Sequence, residues 1–436
     1  MTSGKKSILR TTLLVLPAQI VFRAGEGLLP LLLAYWFGRS NAMDVYFFAA
    51  AFFGLAGSLV FSAYTDSPLV PILAEERIAR PKELPRLLGS VLLHTWAVGG
   101  AVAAIVGALA LGWFAFRYEG ADFTLAAKMV LPFTVYLVAM ATRQLFATLL
   151  TVRHFFMVQP IALGLGMVVN IGMLATGHAA LGVWLVPIAA LAGELVATIL
   201  LATFAIRIAG ERFELGFARP PALVAFGRLV ANQVGGGAVT RVNPVVDQLM
   251  AGFTMVVGAG TMLRYSSDIA MLPTSLLQAA LLPVLLAHLS DDYAARDMAK
   301  LRRTVVRALV TVCALLVVAS LVLYAARAPL LRFVFLRGEM DAEGVDRMIR
   351  IMPYHLVGLP GFGALLVLAR AHIAIKNLGI MISMGLLNAG ANLVFNVVLL
   401  KIIGLEGIAL ATSFVHTVVP IVFWYRLEAR LREEPA

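Results

Sequence analysis

The sequence predicts an all-α polytopic membrane protein, with 12 transmembrane helices in two six-helix bundles around a central cavity. Two observations on composition and pattern support this prediction. Hydrophobic residues make up 61% of the 436-residue chain and charged residues only 14%, too few polar groups to cover a water-soluble domain of this size. The apolar residues are gathered into runs long enough to cross a bilayer, and basic residues are abundant only in alternate connections between the runs.

Twelve apolar runs account for most of the chain. The first six span 11–37, 43–74, 88–116, 124–152, 156–177 and 179–206. The second six span 223–256, 258–289, 304–326, 346–369, 378–400 and 405–425. Several runs exceed the roughly 20 residues that a bilayer requires, so we expect tilted or kinked helices. The polar stretch 208–222 divides the chain into an N-terminal bundle, 1–207, and a C-terminal bundle, 223–436.

The basic residues between the runs predict the orientation. Twenty Lys and Arg side chains fall in the terminal segments and connections on the side of the N-terminus, and six fall on the other side. This asymmetry places both termini in the cytoplasm, and it accounts for the net charge of +11 without a nucleic-acid partner. The opening "KKSILR" has no small-residue cleavage site after it, so we expect no cleavable signal peptide. Cys313 is the only cysteine, which excludes a disulfide within the chain.

Two segments suggest that the halves are repeats. "SPLVPILAEERIARPKELPRLL", at 67–88, follows the second run, and "AALLPVLLAHLSDDYAARDMAKLRR", at 279–303, follows the eighth. Each places a proline in an apolar segment before a polar stretch that ends in basic residues. Two parallel repeats enclosing a cavity are typical of transporters that work by alternating access. The alternative is that proline and basic residues merely mark the cytoplasmic end of a helix.

A set of nine ionisable residues lies within the predicted runs, where each costs at least ~2.5 kcal/mol at the bilayer centre unless it faces a cavity or a partner. The set comprises Arg23, Glu26, Asp66, Arg143, Glu194, Arg241, Asp247, Arg264 and Asp268. Arg23 and Glu26 are three residues apart and share a helix face. Arg264 and Asp268 are four apart and do the same. Either pair is a contact for substrate or a local salt bridge, and Arg143 with Glu194 is a candidate bridge between two helices.

The sequence contains no motif that indicates an enzyme. The seven His residues are scattered, and we find no metal, phosphate-binding or nucleophile motif in its required context. Asp44, near the start of the second run, is interpreted as the N-cap of its helix. We therefore expect a transporter and not a catalyst.

Several motifs, in order, resemble the lipid II flippase (MurJ/MviN) family. They are "FGRSNAMDVYFFAAAF", "VPILAEE", "NPVVDQLMAG", "LPTSLLQAALLPVL", "LLRFVFLRGEMD", "GLPGFGALLVLARAHIAIKN" and "NLVFNVV" followed by "GLEGIALATS". The family belongs to the superfamily that also holds drug and toxin extruders and polysaccharide flippases. The resemblance implies a bacterial inner-membrane flippase for peptidoglycan biosynthesis or polysaccharide export, which moves a polyprenyl-pyrophosphate-linked glycan from the cytoplasmic to the outer leaflet.

The resemblance also suggests roles for the charged residues. Arginine binds phosphate oxygens in a fork, so Arg23, Glu26, Arg264 and Asp268 are candidates for headgroup binding. Asp66, Arg143, Glu194 and Arg241 would form a charge network in the cavity. The chain departs from the family where Leu29 and Pro30 replace a second arginine and an aspartate, and where Gly57 replaces another arginine. Near Asp268, the arginine of the eighth helix is absent from its place. It also has twelve predicted spans where the family typically has fourteen. Lipid II and a related lipid-linked oligosaccharide therefore both remain open as substrates.

The resemblance further implies a sodium site between the seventh, eleventh and twelfth helices. The matching residues are Asp247, Asn392, Asn396 and Thr412, whose oxygen atoms suit a hard cation. The alternative is a neutral polar network that ties the three helices together. No other cofactor is expected, and the expected partners are the lipid-linked glycan and membrane lipids, with the protein a monomer.

Two other functions remain open. One is the export of small cationic or amphipathic compounds, coupled to sodium or protons through Asp247 or Glu26. The other is a membrane scaffold that retains the fold without transporting a substrate. An acidic, aromatic-lined cavity would favour the exporter, whereas a flippase requires cations that face the pyrophosphate.

Overall fold

The computed structural model describes residues 22, 24–60, 69–153, 155–218, 220–224, 226–227, 243–254, 256–375, 377 and 379–433. Within these residues every regular element is helical, which confirms the all-α fold class. The helices of the first half are α1 (Ala24–Phe37), α2 (Asn41–Val60), α3 (Leu69–Ala79), α4 (Leu84–Arg117), α5 (Gly120–Val152), α6 (Val158–Leu181) and α7 (Leu185–Thr203). Those of the second half are α8 (Asn243–Gly252), α9 (Ala259–Ala270), α10 (Leu272–Ala280), α11 (Leu282–Ala294), α12 (Met298–Phe335), α13 (Ala342–Val357), α14 (Leu359–Ala374), α15 (Gly379–Ile403) and α16 (Leu405–Glu433).

The chain divides into two compact units. The N-terminal unit holds Met1–Phe37 and Phe48–Val234, and the C-terminal unit holds Gly38–Phe47 and Gly235–Ala436. The stretch predicted as a linker, 208–222, belongs to the N-terminal unit. There the Glu214 N–H donates to the Pro85 carbonyl over 3.0 Å, and Ser90 Oγ donates to the Gly216 carbonyl over 2.8 Å, so the linker is held against α4.

Two packed helices form one side of the N-terminal unit. α6 and α7 pack along each other, and the chain reverses between them at Gly182, whose φ of +60° suits glycine. Gly166 and Gly193 lie at the crossing, where a Cβ on either would come within 2.4 Å of the other's carbonyl oxygen. Only glycine therefore permits this close approach, and α5 packs against α7 beside it.

Proline divides the eighth predicted span into three helices. α10 and α11 each have a proline at the second position, Pro273 and Pro283. Proline lacks the N–H that would continue the preceding helix, but it is well tolerated in a first turn. The single run predicted over 258–289 therefore folds as α9, α10 and α11.

The tenth predicted span is bent. α13 and α14 meet at an angle of 41°, with Gly358 between them. Ser413 on α16 donates to the Tyr354 carbonyl, and a second, longer contact of 3.5 Å reaches the His355 carbonyl. A bend leaves carbonyl groups without intrahelical partners, and Ser413 supplies the hydrogen for them.

The number of spans stays a prediction. Among the described residues, six helical stretches are long and apolar enough to cross a membrane, or seven if the bent pair α13 and α14 counts as one. One of the six, Val158–Ile208, contains both α6 and α7. These stretches therefore do not correspond one to one with the twelve predicted spans.

The interpretation of Asp44 as the cap of its own helix was wrong. Ser40 takes that position, since the Met43 N–H donates to Ser40 Oγ over 3.2 Å. Asp44 Oδ1 instead accepts from the N–H of Thr261, over 2.8 Å, and from its hydroxyl, over 2.7 Å. Asp44 therefore satisfies the first turn of α9, where a carboxylate also interacts favourably with the helix dipole.

Candidate functional site

A hydrogen-bonded polar network joins three helices of the C-terminal unit. Asp247 on α8 accepts from Asn396 Nδ2 on α15 over 3.0 Å and from Thr412 Oγ1 on α16 over 2.8 Å. Asn396 Nδ2 also donates to Asn392 Oδ1 over 2.8 Å, and Asn392 Nδ2 lies 3.4 Å from Thr412 Oγ1. The structure therefore brings together all four residues of the predicted cation site.

The network extends one turn further than the sequence reasoning proposed. Asn388 on α15 donates from Nδ2 to Asn243 Oδ1 on α8 over 3.0 Å. Both residues are buried. The signal was present in the sequence, since Asn388, Asn392 and Asn396 recur every four residues in an apolar helix and therefore share one face. Asn243 and Asp247 show the same spacing on the facing helix.

The composition of this network fits a sodium ion. Its side chains offer carboxylate, amide and hydroxyl oxygens, the ligand types that hard cations prefer. Asn396 Oδ1 is buried and has no hydrogen-bond partner among the described residues, and an unsatisfied buried oxygen is costly. A bound cation would satisfy it.

Arg264 and Asp268 form the i, i+4 ion pair that their spacing predicted. Arg264 Nε lies 2.9 Å from Asp268 Oδ1 and 3.1 Å from Oδ2. The Arg264 side chain is 47% exposed, so it lies at the surface of the C-terminal unit. The contacts with Asp268 use Nε, and among the described residues no hydrogen bond from the two terminal nitrogens is recorded. Those two nitrogens form the fork that binds phosphate oxygens.

Arg143 and Glu194 form a buried bridge between α5 and α7 in the N-terminal unit. Arg143 Nε donates to Glu194 Oε1 over 2.5 Å, and the two side chains are 8% and 7% exposed. Thr198 Oγ1 donates to the Glu194 carbonyl over 2.8 Å. The charges neutralise each other inside the unit, which favours a structural role over direct contact with substrate.

Of the four remaining predicted residues, one is described and three lie outside the described part of the chain. Glu26 is exposed on α1. Arg23, Asp66 and Arg241 lie outside the described residues. The proposed headgroup contacts of Arg23 and the wider cavity network therefore stay predictions.

A bidentate ion pair outside the predicted spans joins two loops of the C-terminal unit. Arg39 donates from Nε and Nη2 to the two carboxyl oxygens of Asp341, over 2.8 and 2.9 Å, and from Nη2 to Glu343 over 2.6 Å. Asp341 also caps α13 by accepting from the Gly344 N–H. The hydrogen bonds from Arg39 lower the pKa of the Asp341 carboxyl. No local pattern predicts this contact, because Arg39 and Asp341 are 302 residues apart.

Apolar spanning helices with charged and hydrogen-bonded groups inside both units define a multi-pass membrane protein of the transporter type. The family model described as lipid II flippase MurJ matches residues 33–435. The chain belongs to this family, and it is a multi-pass protein of the bacterial inner membrane.

Individual relatives agree with this assignment. The probable lipid II flippase MurJ of Vibrio cholerae serotype O1 is 24% identical over 94% of this chain and 80% of its own length. A solved structure of lipid II flippase MurJ in an inward closed conformation has a TM-score of 0.79 at 19% identity, over 95% of this chain and 87% of that one. An inward-facing multidrug resistance transporter of the MATE family has a TM-score of 0.76 at 13% identity, over 95% and 94%. At these sequence identities, the two solved structures show only that this chain shares their fold.

Proposed function

We propose that this protein moves a polyprenyl-pyrophosphate-linked glycan, lipid II or a related oligosaccharide, from the cytoplasmic to the outer leaflet by alternating access. The observation that carries the proposal is the match of the lipid II flippase family model to nearly the whole chain, residues 33–435. The relative from Vibrio cholerae, a probable lipid II flippase by name, supports the same substrate class.

Arg264 is proposed to bind the pyrophosphate. Its Nε is held by Asp268 over 2.9 Å, which fixes the plane of the guanidinium and directs the two terminal nitrogens away from the pair. A planar fork matches two phosphate oxygens better than an ammonium does. Asp268 then acts as a positioning group, since it orients Arg264 without contacting the anion.

The membrane potential favours the proposed direction. A potential negative on the cytoplasmic side assists outward movement of an anion by ~2.3 kcal/mol per charge per 100 mV. A pyrophosphate diester carries two charges at neutral pH, so the potential alone is a substantial driving force if both charges cross the field.

Sodium is proposed as a resident cation of the C-terminal unit. Asp247, Asn392, Asn396 and Thr412 would hold it. When bound, the ion would supply positive charge that links α8, α15 and α16. Asp247 provides the only carboxylate within the four, so the affinity of the site should depend mainly on this side chain.

Complementation of a strain depleted of its own lipid II flippase tests the proposal. We expect the protein to restore growth, and Arg264→Ala to abolish the rescue. Arg332→Ala is the matched control, because Arg332 is also an exposed arginine paired with an aspartate, Asp346, at 3.0 Å. Failure of the wild type in a membrane where it is folded and abundant would contradict the choice of lipid II as substrate.

Export of small cationic compounds is the second candidate, favoured by the similarity in fold to the MATE multidrug transporter. The same strains separate the two proposals. An exporter would raise resistance to cationic dyes without restoring growth, and it would tolerate Arg264→Ala, since a cation gains nothing from an arginine.

A further inference from the structure

The helices α9 and α10 carry a face of polar side chains on the surface of the C-terminal unit. Arg264, Ser275 and Gln278 on this face are exposed, and Asp268 is half-buried. The opposite face is closed, since the following side chains are at most 1% exposed: Tyr265, Ser266, Ala270 and Thr274. The two helices are therefore amphipathic, although they belong to a predicted membrane span.

The break between α9 and α10 does not turn this face away. The Met271 N–H donates to the Ser267 carbonyl over 2.8 Å, and the Ser275 N–H donates to the Met271 carbonyl over 3.2 Å. Both bonds join residues four apart, as in an α-helix, so the helical register continues through Met271. Ser275 and Gln278 follow Arg264 by about three and about four helical turns, which places all three on one face.

This face differs from one that lies against lipid. α12, which is one of the spanning stretches, exposes large apolar side chains, among them Val310, Leu315, Val318, Leu321 and Val322. α10 packs against α12 and α14, yet its exposed side chains include a hydroxyl and an amide, with the apolar Leu272 at the edge of the polar face. Polar groups are costly against hydrocarbon, so this face borders water or substrate.

Ser275 and Gln278 have hydrogen-bonding capacity to spare. Ser275 Oγ lies 3.4 Å from the Met271 carbonyl, a long contact for a hydroxyl donor. The same carbonyl accepts from Thr274 Oγ1 over 2.7 Å. For the Gln278 side chain, no hydrogen bond to another described residue is recorded. A hydroxyl and a carboxamide each donate and accept, so both side chains can bind groups that do the same.

The order of groups along the face matches a glycan attached to a pyrophosphate. Arg264 supplies the charged fork at one end, and the predicted span runs from there towards the cytoplasm. At a rise of 1.5 Å per residue, Ser275 and Gln278 lie about 16 Å and about 21 Å from Arg264 along the helix. This distance exceeds the length of one sugar ring. Both side chains are uncharged, which suits the hydroxyl and acetamido groups of neutral sugars.

We propose that Ser275 and Gln278 bind uncharged sugars of the transported glycan beyond the first sugar, and that they favour carriers with several sugars over carriers with one. The inference rests on the proposed function, because it extends the pyrophosphate contact of Arg264 along α9 and α10. It assigns a specificity role to two residues of the C-terminal unit that do not touch the pyrophosphate.

Transfer of two carriers that differ only in the glycan tests the proposal. Proteoliposomes contain a polyprenyl pyrophosphate, fluorescently labelled on the lipid, that carries either one sugar or an uncharged tetrasaccharide, and the initial transfer rate is measured against carrier density. We expect Gln278→Leu and Ser275→Ala each to raise the density of the tetrasaccharide carrier required for half-maximal rate by about 3- to 10-fold, as for one neutral hydrogen bond. Transfer of the one-sugar carrier should not change, which also shows that each variant is folded.

Ser383→Ala is the matched control for Ser275→Ala. Ser383, on α15, is also an exposed serine of the C-terminal unit, and its Oγ donates to the Ile380 carbonyl of its own helix over 2.9 Å. We expect this variant to transfer both carriers as the wild type does, and Arg264→Ala to impair both, since both contain the pyrophosphate.

Two outcomes would refute the proposal and leave the proposed function intact. In the first, Gln278→Leu combined with Ser275→Ala transfers both carriers as the wild type does. In the second, the combined variant impairs both carriers equally, as a structural role would. Transfer of neither carrier by the wild type would instead refute the proposed function, and this inference with it.

Discussion

Replacing Glu194 by alanine would leave Arg143 as an unpaired charge inside the N-terminal unit. The two side chains are 8% and 7% exposed, and their hydrogen bond is 2.5 Å long, so the guanidinium has little water to replace its partner. Breaking a buried ion pair from one side typically costs about 3–5 kcal/mol. That range corresponds to roughly a hundred- to several-thousand-fold in the ratio of folded to unfolded protein.

Two matched variants separate charge from packing. Glu194→Gln keeps the shape and an acceptor for Arg143, so its loss should be smaller than that of Glu194→Ala. Arg143→Met combined with Glu194→Leu removes both charges and fills the space, and buried pairs replaced in this way are often as stable as the original. We therefore expect the double variant to be more stable than Glu194→Ala.

Unfolding of the purified protein in micelles, followed by tryptophan fluorescence against denaturant, measures these differences. Our reasoning fails if Glu194→Ala loses less than about 1 kcal/mol, the value typical of an exposed pair. It also fails if the double variant is as unstable as Glu194→Ala, because the cost would then arise from packing and not from an uncompensated charge.

Three further predictions concern the cation site, the headgroup and pH. Asp247→Asn should remove any sodium dependence of transport while the protein stays folded. The measurement is the flipping rate at increasing sodium concentration, with choline replacing sodium. An unchanged sodium response would favour the neutral network. Arg264→Lys keeps the positive charge but loses the two terminal guanidinium nitrogens that form the fork. Losing one charge-assisted hydrogen bond, worth about 1.5–3 kcal/mol, should weaken headgroup binding roughly 10- to 100-fold. A titration with a soluble pyrophosphate analogue measures this change. The pKa of Asp341 is lowered in the folded protein, so its ion pair with Arg39 stabilises the fold fully at pH values above the unfolded carboxyl pKa. This stabilisation is lost as the pH falls through the lowered pKa. Because Asp341 is 52% exposed, the loss measured by thermal melting should be at most about 1 kcal/mol, and it should be absent in Arg39→Ala.

The fold class was predictable because it depends on local and compositional signals. Apolar runs of bilayer length specify helices wherever they occur, and Gly182 and Gly404 mark the reversals between paired helices through positive φ angles. Pro273 and Pro283 end one helix and begin the next, since whether a helix continues past a proline depends on what the neighbouring helices supply.

Contacts between distant parts of the chain were not predictable from local rules. Asp44 obeyed the pattern of an N-cap for α2, but its carboxylate instead accepts from Thr261 in the first turn of α9, 217 residues later. The four residues of the predicted cation site were found through family resemblance. Asn243 and Asn388 could have been found from sequence alone, because each lies four residues from a member of that site on the same helix.

Leaflet transfer by the purified protein tests the central claim most directly. Proteoliposomes are loaded with a fluorescent polyprenyl-pyrophosphate glycan, and the fraction reachable by an enzyme or quencher outside the vesicles is followed in time, with Arg264→Ala and Arg332→Ala side by side. We predict that the wild type and Arg332→Ala carry the lipid across well above the rate of empty vesicles, and that Arg264→Ala does not. No transfer of any such lipid by folded wild-type protein, or equal transfer by Arg264→Ala, would contradict the account.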